Sequence, residues 1–404
     1  MKIAFANNYF YLRGGAERVF FGEMDLLRAR GHSVVPFSRR YGRGAANVKE
    51  RHFPSDLRYE GVSLWKRLSA AASLVYSFET RKKFLELLRG ERPDLVHAHN
   101  IYGRLTTSIL DAASGENIPA VMTLHDCKLL CPSYLMLREG RVCEACAGGK
   151  FLNCLLKKCH KSSFAASLLY TIESSFNRIF GKYERIRYFI CPSRFIKDKH
   201  AEYGLPPEKL VYIPNFIKAG QYRPNFTPGE YVLYVGRLSR EKGVMTLLKA
   251  VKKQKFKAPL LIAGEGPARA EYEGFIKQNG ISRVRLAGYK TGAALESAIQ
   301  NAAFIAYPSE CYENAPMAVL EAMACGKPVL GADIGGIPEM VVENETGLLF
   351  RPGRHGQLAE KIDFLLSNPS LVREMGRKAR RLVEERYSEE GHYRRLLALY
   401  RAAA

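Results

Sequence analysis

Long apolar runs, low-complexity tracts and acidic residues are scarce in this sequence of 404 residues. No stretch approaches 18 uncharged apolar residues, so the sequence predicts no helix that spans a bilayer. Met1–Ala6 gives too few apolar residues before Asn7 for the core of a secretory signal. A hydrophobic content of 47% without low-complexity sequence excludes global disorder. We therefore expect a folded protein of the cytoplasm.

The shortage of acidic residues leaves a large positive charge. The chain has 62 basic and 40 acidic residues, a net charge of +22, and residues 1–200 contribute +15 of it. Such an excess indicates an anionic partner, which can be a nucleic acid, a membrane surface or a phosphorylated small molecule. No helix-turn-helix, RNA-binding aromatic motif or OB-fold pattern is present, so we expect no nucleic-acid partner.

Short β-rich runs alternate with helical patterns along the chain. This alternation predicts an α/β fold in which helices cover both faces of parallel sheets. Helices are predicted over Ala16–Arg30, Leu64–Arg89 and Phe164–Tyr183 in the first half. The predicted strands are Lys2–Ala6, His32–Phe37, Leu95–His97, Ala120–Leu124, Tyr188–Cys191, Tyr231–Gly236, Leu260–Ala263, Val284–Ala287, Phe304–Tyr307, Val329–Leu330 and Gly347–Phe350.

Proline and glycine interrupt the pattern around residues 213–229, which predicts a domain boundary there. We expect an N-terminal domain over 1–213 with a cysteine-rich insertion at 127–160, and a linker over 214–229. A C-terminal domain over 230–385 and a last helix over 386–404 follow, and that helix either stands alone or packs back on the first domain. Ligands of open α/β sheets bind beyond the carboxyl ends of strands, in the cleft expected between two such domains.

Two acidic residues follow the strand Phe304–Tyr307, where the chain turns into a helix. Glu313 lies in the loop and Glu321 lies eight residues later on the helix, with Pro316 expected at the first helical position. A helix N-terminus attracts anions, and two carboxylates beside it suit the hydroxyl groups of a sugar or ribose. The alternative is that Glu313 caps the helix and that Glu321 is solvated.

Two basic residues follow the strand Tyr231–Gly236. Arg237 comes directly after the strand and Lys242 five residues later, at the start of a helix. A guanidinium fork combined with an ammonium point charge suits a diphosphate. Taken alone, basic residues at such positions more often face solvent.

The first half offers candidates at three strand ends. Gly14 and Gly15 follow the first strand, where they suit either close approach of the backbone to a ligand or a plain tight turn. His125 follows a later strand, and His97 and His99 are alternatives to it.

Several separately spaced motifs together resemble glycosyltransferase family 4. They are the Glu-x7-Glu pair of Glu313 and Glu321, Gly236–Gly243, Ile262–Pro267, Ile213–Asn215 and Gly14–Arg18. The resemblance implies the GT-B fold, two facing Rossmann-like domains with a cleft between them. It also implies a retaining enzyme that uses a nucleotide-sugar donor.

The resemblance assigns roles to individual residues. Arg237 and Lys242 would bind the donor diphosphate, and Glu321 the ribose. The transferred sugar would be held by Glu313 with the amides near Asn314 and Ala315. His125 would bind the sugar or the acceptor, oriented by Asp126. The donor-binding set is completed by Gly14, Gly15, Gly264 and Tyr289.

The sequence departs from the family pattern at two places and contains no Asp-x-Asp triplet. Phe216 stands where many members have glycine, and Asn314-Ala315 replaces a frequent Phe-Gly. The missing triplet removes a common metal–diphosphate clamp, so we expect catalysis without a required cofactor.

The expected partners are a UDP- or GDP-sugar and a glycan or lipid-linked acceptor of cell-envelope polysaccharide or lipopolysaccharide synthesis. A nucleotide-sugar 2-epimerase of similar plan is the alternative enzyme, and it would need no acceptor.

Six of the nine cysteines lie between residues 127 and 159. Cys143 and Cys146 have the spacing of a zinc knuckle, and Cys131 and Cys159 complete a set of four, with Cys154 as a rival ligand. Reduced thiols or labile disulfides without metal are the alternative.

Basic residues also lie beside apolar and aromatic ones. The clearest cases are Lys157, Lys158, Lys161, Arg178, Lys182, Arg185 and Arg187, with Trp65, Lys66, Arg67 and Arg81–Lys83. This composition suits either a helix on the anionic inner face of the cytoplasmic membrane or an ordinary solvated surface.

Overall fold

The computed structural model describes residues 1–41, 50–56, 64–253 and 258–404, without the side chains of 50 and 64–68. The chain divides into two compact units. The first comprises Met1–Met136, Cys143–Ile213 and Tyr393–Ala404, and the second comprises Leu137–Val142 and Pro214–His392. Each unit has its own six-stranded parallel sheet.

The sheet of the first unit has the order β2-β1-β3-β4-β7-β8. Its apolar strands are largely buried because helices cover both faces. Strands β5 and β6 form a short antiparallel hairpin that the sequence did not predict, and β8 was also missed. The strands are β1 (Lys2–Ala6), β2 (Ser33–Phe37), β3 (Leu95–Ala98), β4 (Ala120–Thr123), β5 (Leu137–Arg138), β6 (Arg141–Val142), β7 (Ile186–Cys191) and β8 (Leu210–Tyr212).

The helix predicted over Leu64–Arg89 is wrong, because two helices occupy that range. Ser77 interrupts it and caps the second helix, since its side chain accepts a hydrogen bond from the amide of Thr80. The helices are α1 (Gly15–Ala29), α2 (Leu64–Val75), α3 (Phe78–Glu91), α4 (Ser108–Gly115), α5 (Leu152–Leu156), α6 (Phe164–Ile179) and α7 (Arg194–Glu202).

The sheet of the second unit has the order β11-β10-β9-β12-β13-β14. Its strands are β9 (Tyr231–Val235), β10 (Leu260–Ala263), β11 (Val284–Leu286), β12 (Ala302–Tyr307), β13 (Val329–Ala332) and β14 (Gly347–Phe350). The later helices are α8 (Val244–Lys253), α9 (Arg269–Gln278), α10 (Gly292–Gln300), α11 (Met317–Ala324), α12 (Ile337–Met340), α13 (His355–Ser367), α14 (Pro369–Arg386) and α15 (Glu389–Ala403).

The strand order of each sheet reverses at one point. In the first sheet β1 lies between β2 and β3, and in the second β9 lies between β10 and β12. Ligands of open α/β sheets bind beyond the carboxyl ends of strands at such a reversal. The loops after β1, β3, β9 and β12 are therefore where binding residues are expected.

Two segments outside the sheets are tied to particular units. Residues 214–229 belong to the second unit, where the amide of Asn225 donates to the carbonyl of Cys325 at 2.9 Å. Tyr393–Ala404 belongs to the first unit, where the Tyr393 hydroxyl lies 2.9 Å from Nε2 of His32. Among the described helices, none is both long and apolar enough to cross a membrane.

Candidate functional site

Glu313 lies in the loop after β12, and its buried carboxylate has three close partners. Its Oε1 lies 2.6 Å from Nζ of Lys242 and accepts hydrogen bonds from Ser309 Oγ at 2.7 Å and from Tyr307 OH at 3.3 Å. The structure thus joins two residues that the sequence selected separately. Ser309 and Tyr307 were not selected, although both lie within six residues of Glu313 on the same strand and loop.

Lys242 reaches Glu313 because a glycine follows it. Gly243 has a φ of +68°, and a Cβ there would lie 1.8 Å from the carbonyl oxygen of Pro308. Only glycine permits this approach of the two loops. Burial lowers the pKa of Lys242, but the charge of Glu313 outweighs it and holds that pKa above its usual value. Lys242 is therefore a cation at all physiological pH values.

The helix α11 presents its N-terminus just after Glu313. The sequence predicted Pro316 at the first position of the helix, and this prediction is wrong by one residue. Pro316 precedes α11, which begins at Met317. The side-chain amide of Asn215 donates to the carbonyl of Ala315 at 2.9 Å and so holds this loop. Glu321 is buried on α11 and is not solvated.

Arg237 follows β9 with its backbone fixed and its side chain exposed. Its carbonyl accepts a hydrogen bond from Tyr234 OH at 2.9 Å. Within the described residues, the guanidinium makes no hydrogen bond or ion pair, so it is available to an anionic ligand.

Gly264 and Tyr289 lie at the ends of the neighbouring strands. A Cβ on Gly264 would lie 1.8 Å from the carbonyl oxygen of Gly236, so the glycine is required by the contact of two strand ends. Tyr289 is 63% exposed, and an exposed aromatic ring offers a surface on which a base can stack.

The loop after β1 leads into α1 through Gly14 and Gly15, both of which are exposed. Gly14 has an extended backbone and precedes the helix, and its carbonyl accepts from the amide of Arg18 at 3.2 Å. The buried carboxylate of Glu17 accepts hydrogen bonds from the backbone at Gly14 and Glu17, so these amides of the helix start already have a partner.

His125 is joined to two other buried residues of the first unit. Its Nε2 lies 2.9 Å from Nδ1 of His99, and Nε2 of His99 lies 3.5 Å from Oε2 of Glu23. Burial, with a smaller contribution from His99, lowers the pKa of His125 to about 3. His125 is therefore neutral at physiological pH. We call His125, His99 and Glu23 the histidine relay.

His97 and Asp126 have other partners. His97 is buried, with Nδ1 2.7 Å from Tyr400 OH and Nε2 2.8 Å from Thr123 Oγ1, so it is a structural residue. Oδ1 of Asp126 accepts from the amide of Lys128 at 2.9 Å. The hydrogen-bond partner that the structure gives His125 is His99, and the orienting role expected for Asp126 stays a prediction. His99 and His125 are 26 positions apart in the chain, which explains why no local pattern indicated the contact.

The cysteines of the insertion contain no disulfide in the described chain. The thiol of Cys131 lies beside that of Cys146 and 3.2 Å from Oγ of Ser133, and Cys154 and Cys159 pack against Cys146. The Cys146 contact lowers the pKa of Cys131 to about 6. Cys143 is half-buried, and its amide donates to the carbonyl of Met136 at 2.7 Å.

A cluster of candidate metal ligands lies in the first unit outside the cysteine insertion. Among the described residues, only Glu23, His97 and His99 place three candidate ligand atoms within 4.8 Å of one another. Both nitrogens of His97 already have hydrogen-bond partners, and all three side chains are almost fully enclosed. The ring nitrogens of His97 are therefore already engaged in hydrogen bonds and would have to give them up to bind a metal ion.

Two family models match the chain. Residues 13–221 match "Glycosyltransferase Family 4", and residues 222–382 match "Glycosyl transferases group 1". Together the matches include nearly all of the residues described above.

Curated relatives agree with the family models. An uncharacterized glycosyltransferase of Methanocaldococcus jannaschii is 32% identical over 46% of this chain and 52% of its own. The alpha-D-kanosaminyltransferase of Streptomyces kanamyceticus is 30% identical over 42% and 45%. An uncharacterized protein of the cps region of Klebsiella pneumoniae is 27% identical over 84% and 87%. The chain thus spans about half the length of the first two relatives and most of the third.

Solved structures show the same fold at low identity. Anabaena Alr3699/HepE, solved in complex with UDP, has a TM-score of 0.70 at 18% identity, with all of both chains covered. The sucrose-phosphate synthase of Thermosynechococcus elongatus has a TM-score of 0.74 at 20% identity over 99% and 98%. The two parallel-sheet units are therefore those of the GT-B fold, and the chain belongs to glycosyltransferase family 4.

Proposed function

We propose that this protein transfers a sugar from a UDP- or GDP-sugar to a hydroxyl group of a lipid-linked or polysaccharide acceptor in cell-envelope glycan synthesis, with retention of configuration. The observation that carries the proposal is the ion pair of Lys242 with Glu313 beside the N-terminus of α11. It places a cation and a hydroxyl-binding carboxylate together at the carboxyl end of the sheet.

The second unit supplies groups for the donor. Lys242 and the exposed Arg237 neutralise the diphosphate, so that no metal ion is required for the departure of the nucleotide. Glu313 accepts hydrogen bonds from hydroxyl groups of the transferred sugar, and the amides of Asn314 and Ala315 donate to its oxygen atoms. Glu321 binds the ribose hydroxyls, and the base lies near Gly264 and Tyr289.

The first unit supplies groups for the sugar and the acceptor. The amides at Gly14 and Gly15 approach the diphosphate or the acceptor. In the transfer, the bond between the sugar C1 and the phosphate oxygen breaks, and the acceptor oxygen bonds to C1 on the same face. The departing phosphate oxygen takes the acceptor proton, so the protein needs to position the groups and need not supply a strong base.

The histidine relay supports the positioning role of His125. The carboxylate of Glu23 favours a proton on Nε2 of His99, which leaves Nδ1 of His99 as an acceptor. His125 then donates from Nε2, and its own Nδ1 is unprotonated. An unprotonated Nδ1 accepts a hydrogen bond from a sugar or acceptor hydroxyl.

The similar proteins favour the same donor class. HepE binds UDP, and one of its other structures contains UDP-glucose. UDP-sugars are therefore the first donors to test.

Donor binding and acceptor-dependent turnover test the proposal. We expect one class among UDP-, GDP- and ADP-sugars to raise the melting temperature, since a ligand at 100 times its Kd stabilises by about 2.7 kcal/mol. Product should then form only when an acceptor is supplied, and EDTA should leave the rate unchanged. Epimerisation without acceptor would identify a 2-epimerase instead. Loss of turnover in EDTA with recovery in Mg2+ would contradict metal-independent transfer.

We also propose that the cysteine insertion binds structural zinc through Cys131, Cys143, Cys146 and Cys159, with Cys154 as the rival fourth ligand. Support comes from the contact of the Cys131 and Cys146 thiols, since zinc takes cysteine sulfur ligands. Cys154 and Cys159 pack beside Cys146, although no three of these thiols lie within 4.8 Å of one another in the described chain.

Metal analysis tests the zinc proposal. We expect about one equivalent of zinc in protein prepared without chelators, because a structural site holds a single ion. Cys146→Ser should lose it, whereas the buried Cys191 of the first sheet offers a control, Cys191→Ser, that should retain it. Zinc below about a tenth of an equivalent would refute the site. Comparison of Cys154→Ser with Cys159→Ser identifies the fourth ligand.

A further inference from the structure

Helix α6 is turned so that its polar face is buried and its apolar face is exposed. The residues that this helix buries are all polar: Ser167, Thr171, Glu173, Ser174 and Asn177. On its opposite face, Phe164, Leu168, Ile172 and Ile179 are all exposed. This is the reverse of a helix on the surface of a soluble domain, whose apolar stripe faces the core.

The orientation of α6 is fixed by its polar contacts. Glu173 lies 2.6 Å from Nζ of the buried Lys128. The Asn177 amide donates to Glu173 at 2.7 Å, and Oδ1 of Asn177 accepts from Thr107 Oγ1 at 2.7 Å. Because each of these buried polar groups is paired, rotation of the helix would leave a charge and an amide without partners. The apolar face is therefore held outward by the fold.

The exposed apolar surface extends beyond α6 at both ends. Phe180 directly follows the helix and packs against Phe176, with the two rings tilted and their centroids 4.7 Å apart. At the other end, α5 packs against α6 and leaves Leu156 70% exposed. The α5–α6 face is defined here as Leu156, Phe164, Leu168, Ile172, Ile179 and Phe180. An exposed apolar surface of this continuity indicates an interaction site.

The charge beside this face is positive. Lys157, Lys158 and Lys161 lie between α5 and α6, and within the described part of the chain none of them forms an ion pair. Arg178 is exposed on α6 itself. Of the other basic residues selected from the sequence, Lys182 and Arg185 both pair with Asp111 and are already neutralised. The side chains of Trp65, Lys66 and Arg67 lie outside the described residues.

We propose that the α5–α6 face docks on an anionic lipid bilayer, with its apolar side chains among the acyl chains and Lys157, Lys158 and Lys161 at the headgroups. Apolar side chains flanked by lysines match the interfacial region of such a bilayer in both polarity and charge. A second copy of the chain matches less well, because a two-fold contact would bring two lysine clusters together. The docking itself does not depend on sugar transfer. Its use in reaching a lipid-linked acceptor rests on the proposed function.

Vesicle binding tests the docking. Co-sedimentation of the full chain should be at least about tenfold stronger with phosphatidylglycerol-containing vesicles than with pure phosphatidylcholine, because each lysine near an anionic surface contributes about 1 kcal/mol, which is roughly fivefold in affinity. The binding should weaken as salt is raised, since screening shortens the reach of the charges. Neither measurement requires donor or turnover, so its failure is distinct from failure of the proposed transfer.

Surface variants identify the face. Leu168→Ser with Ile172→Ser should reduce binding to anionic vesicles at least about tenfold, through loss of two apolar side chains that each contribute about 1.5–3 kcal/mol when fully buried. Lys157→Glu with Lys158→Glu and Lys161→Glu should abolish the preference for anionic vesicles. The matched controls, Phe364→Ser and Lys277→Glu, change an exposed apolar and an exposed basic residue of the second unit and should bind as the wild type.

Three outcomes would overturn the docking. They are equal binding to neutral and anionic vesicles, no binding to either, and unchanged binding by both sets of α5–α6 variants while the proteins remain folded. Self-association that Leu168→Ser with Ile172→Ser abolishes, without vesicle binding by the wild type, would assign the face to a second copy of the chain.

Discussion

Replacement of Lys242 by alanine is expected to lower kcat/KM for the nucleotide-sugar by about 100- to 1000-fold, the effect of removing one preorganised charge from a transition state. The Lys242 ammonium is held 2.6 Å from Glu313, and that carboxylate keeps its pKa high. Lys242 therefore stays protonated while negative charge develops on the departing nucleotide. Steady-state kinetics with the donor found by the thermal screen measure the effect.

The loss should divide between the kinetic constants in a particular way. Because the charge on the leaving group increases in the transition state, kcat should fall together with kcat/KM, with a smaller change in KM. Lys249→Ala is the matched control, since Lys249 is exposed on α8, close in sequence to Lys242. A change in KM alone would mean that Lys242 only binds the donor. Unchanged kinetics would remove it from the site.

Glu313→Gln separates the two members of the ion pair. The amide keeps the shape of the side chain and the contact with Ser309 but removes the charge opposite Lys242. If the pair acts as one unit, the double variant should lose about as much activity as the more damaging single variant, because effects of residues that act together are not additive. Melting temperatures of all variants are measured in parallel, since removing one partner of a buried pair also destabilises the fold.

The fold could largely be predicted from the sequence, and the contacts of the site could not. Buried parallel strands are short apolar runs, so eleven of the twelve strands in the two sheets were predicted, although the predictions for β7, β12 and β13 were each two residues short. The missed strand is β8, which has only three residues. The pairing of Lys242 with Glu313 joins positions 71 residues apart, and no local pattern indicates which of many charged residues will meet.

Helix α6 shows a second limit of the sequence. The period of its apolar residues correctly predicts a helix, but period alone does not state which face is buried. The usual assumption places Phe164, Leu168 and Ile172 in the core. The ion pair of Glu173 with Lys128, 45 residues away in the chain, reverses that orientation. The sequence does identify the basic residues around this face. For that reason it predicts either a membrane-binding surface or an ordinary solvated surface there.

Replacement of His125 by alanine is expected to lower kcat about 100-fold, the effect of misplacing reacting groups by an ångström or less. His125 accepts a hydroxyl hydrogen bond through Nδ1 because its Nε2 is engaged with His99 at 2.9 Å. Since its pKa lies near 3, His125 is protonated only below that pH. Between pH 8 and pH 5 the charge of His125 does not change. Any fall in the kcat of the wild type over this range should therefore also occur in the His125→Ala variant. His52→Ala, at a half-buried histidine near the surface, is the control.

The orienting role of His99 distinguishes the histidine relay from a merely structural cluster. His99→Leu should lower kcat about tenfold, because the acceptor that fixes the tautomer of His125 is lost. His99→Asn places an amide oxygen where Nδ1 lay, so it should recover part of that loss at an equal melting temperature. The combination of His99→Leu with His125→Ala should be no worse than His125→Ala alone. Equal loss in the leucine and asparagine variants, or additive loss in the double variant, would show that His99 supports the fold without orienting His125.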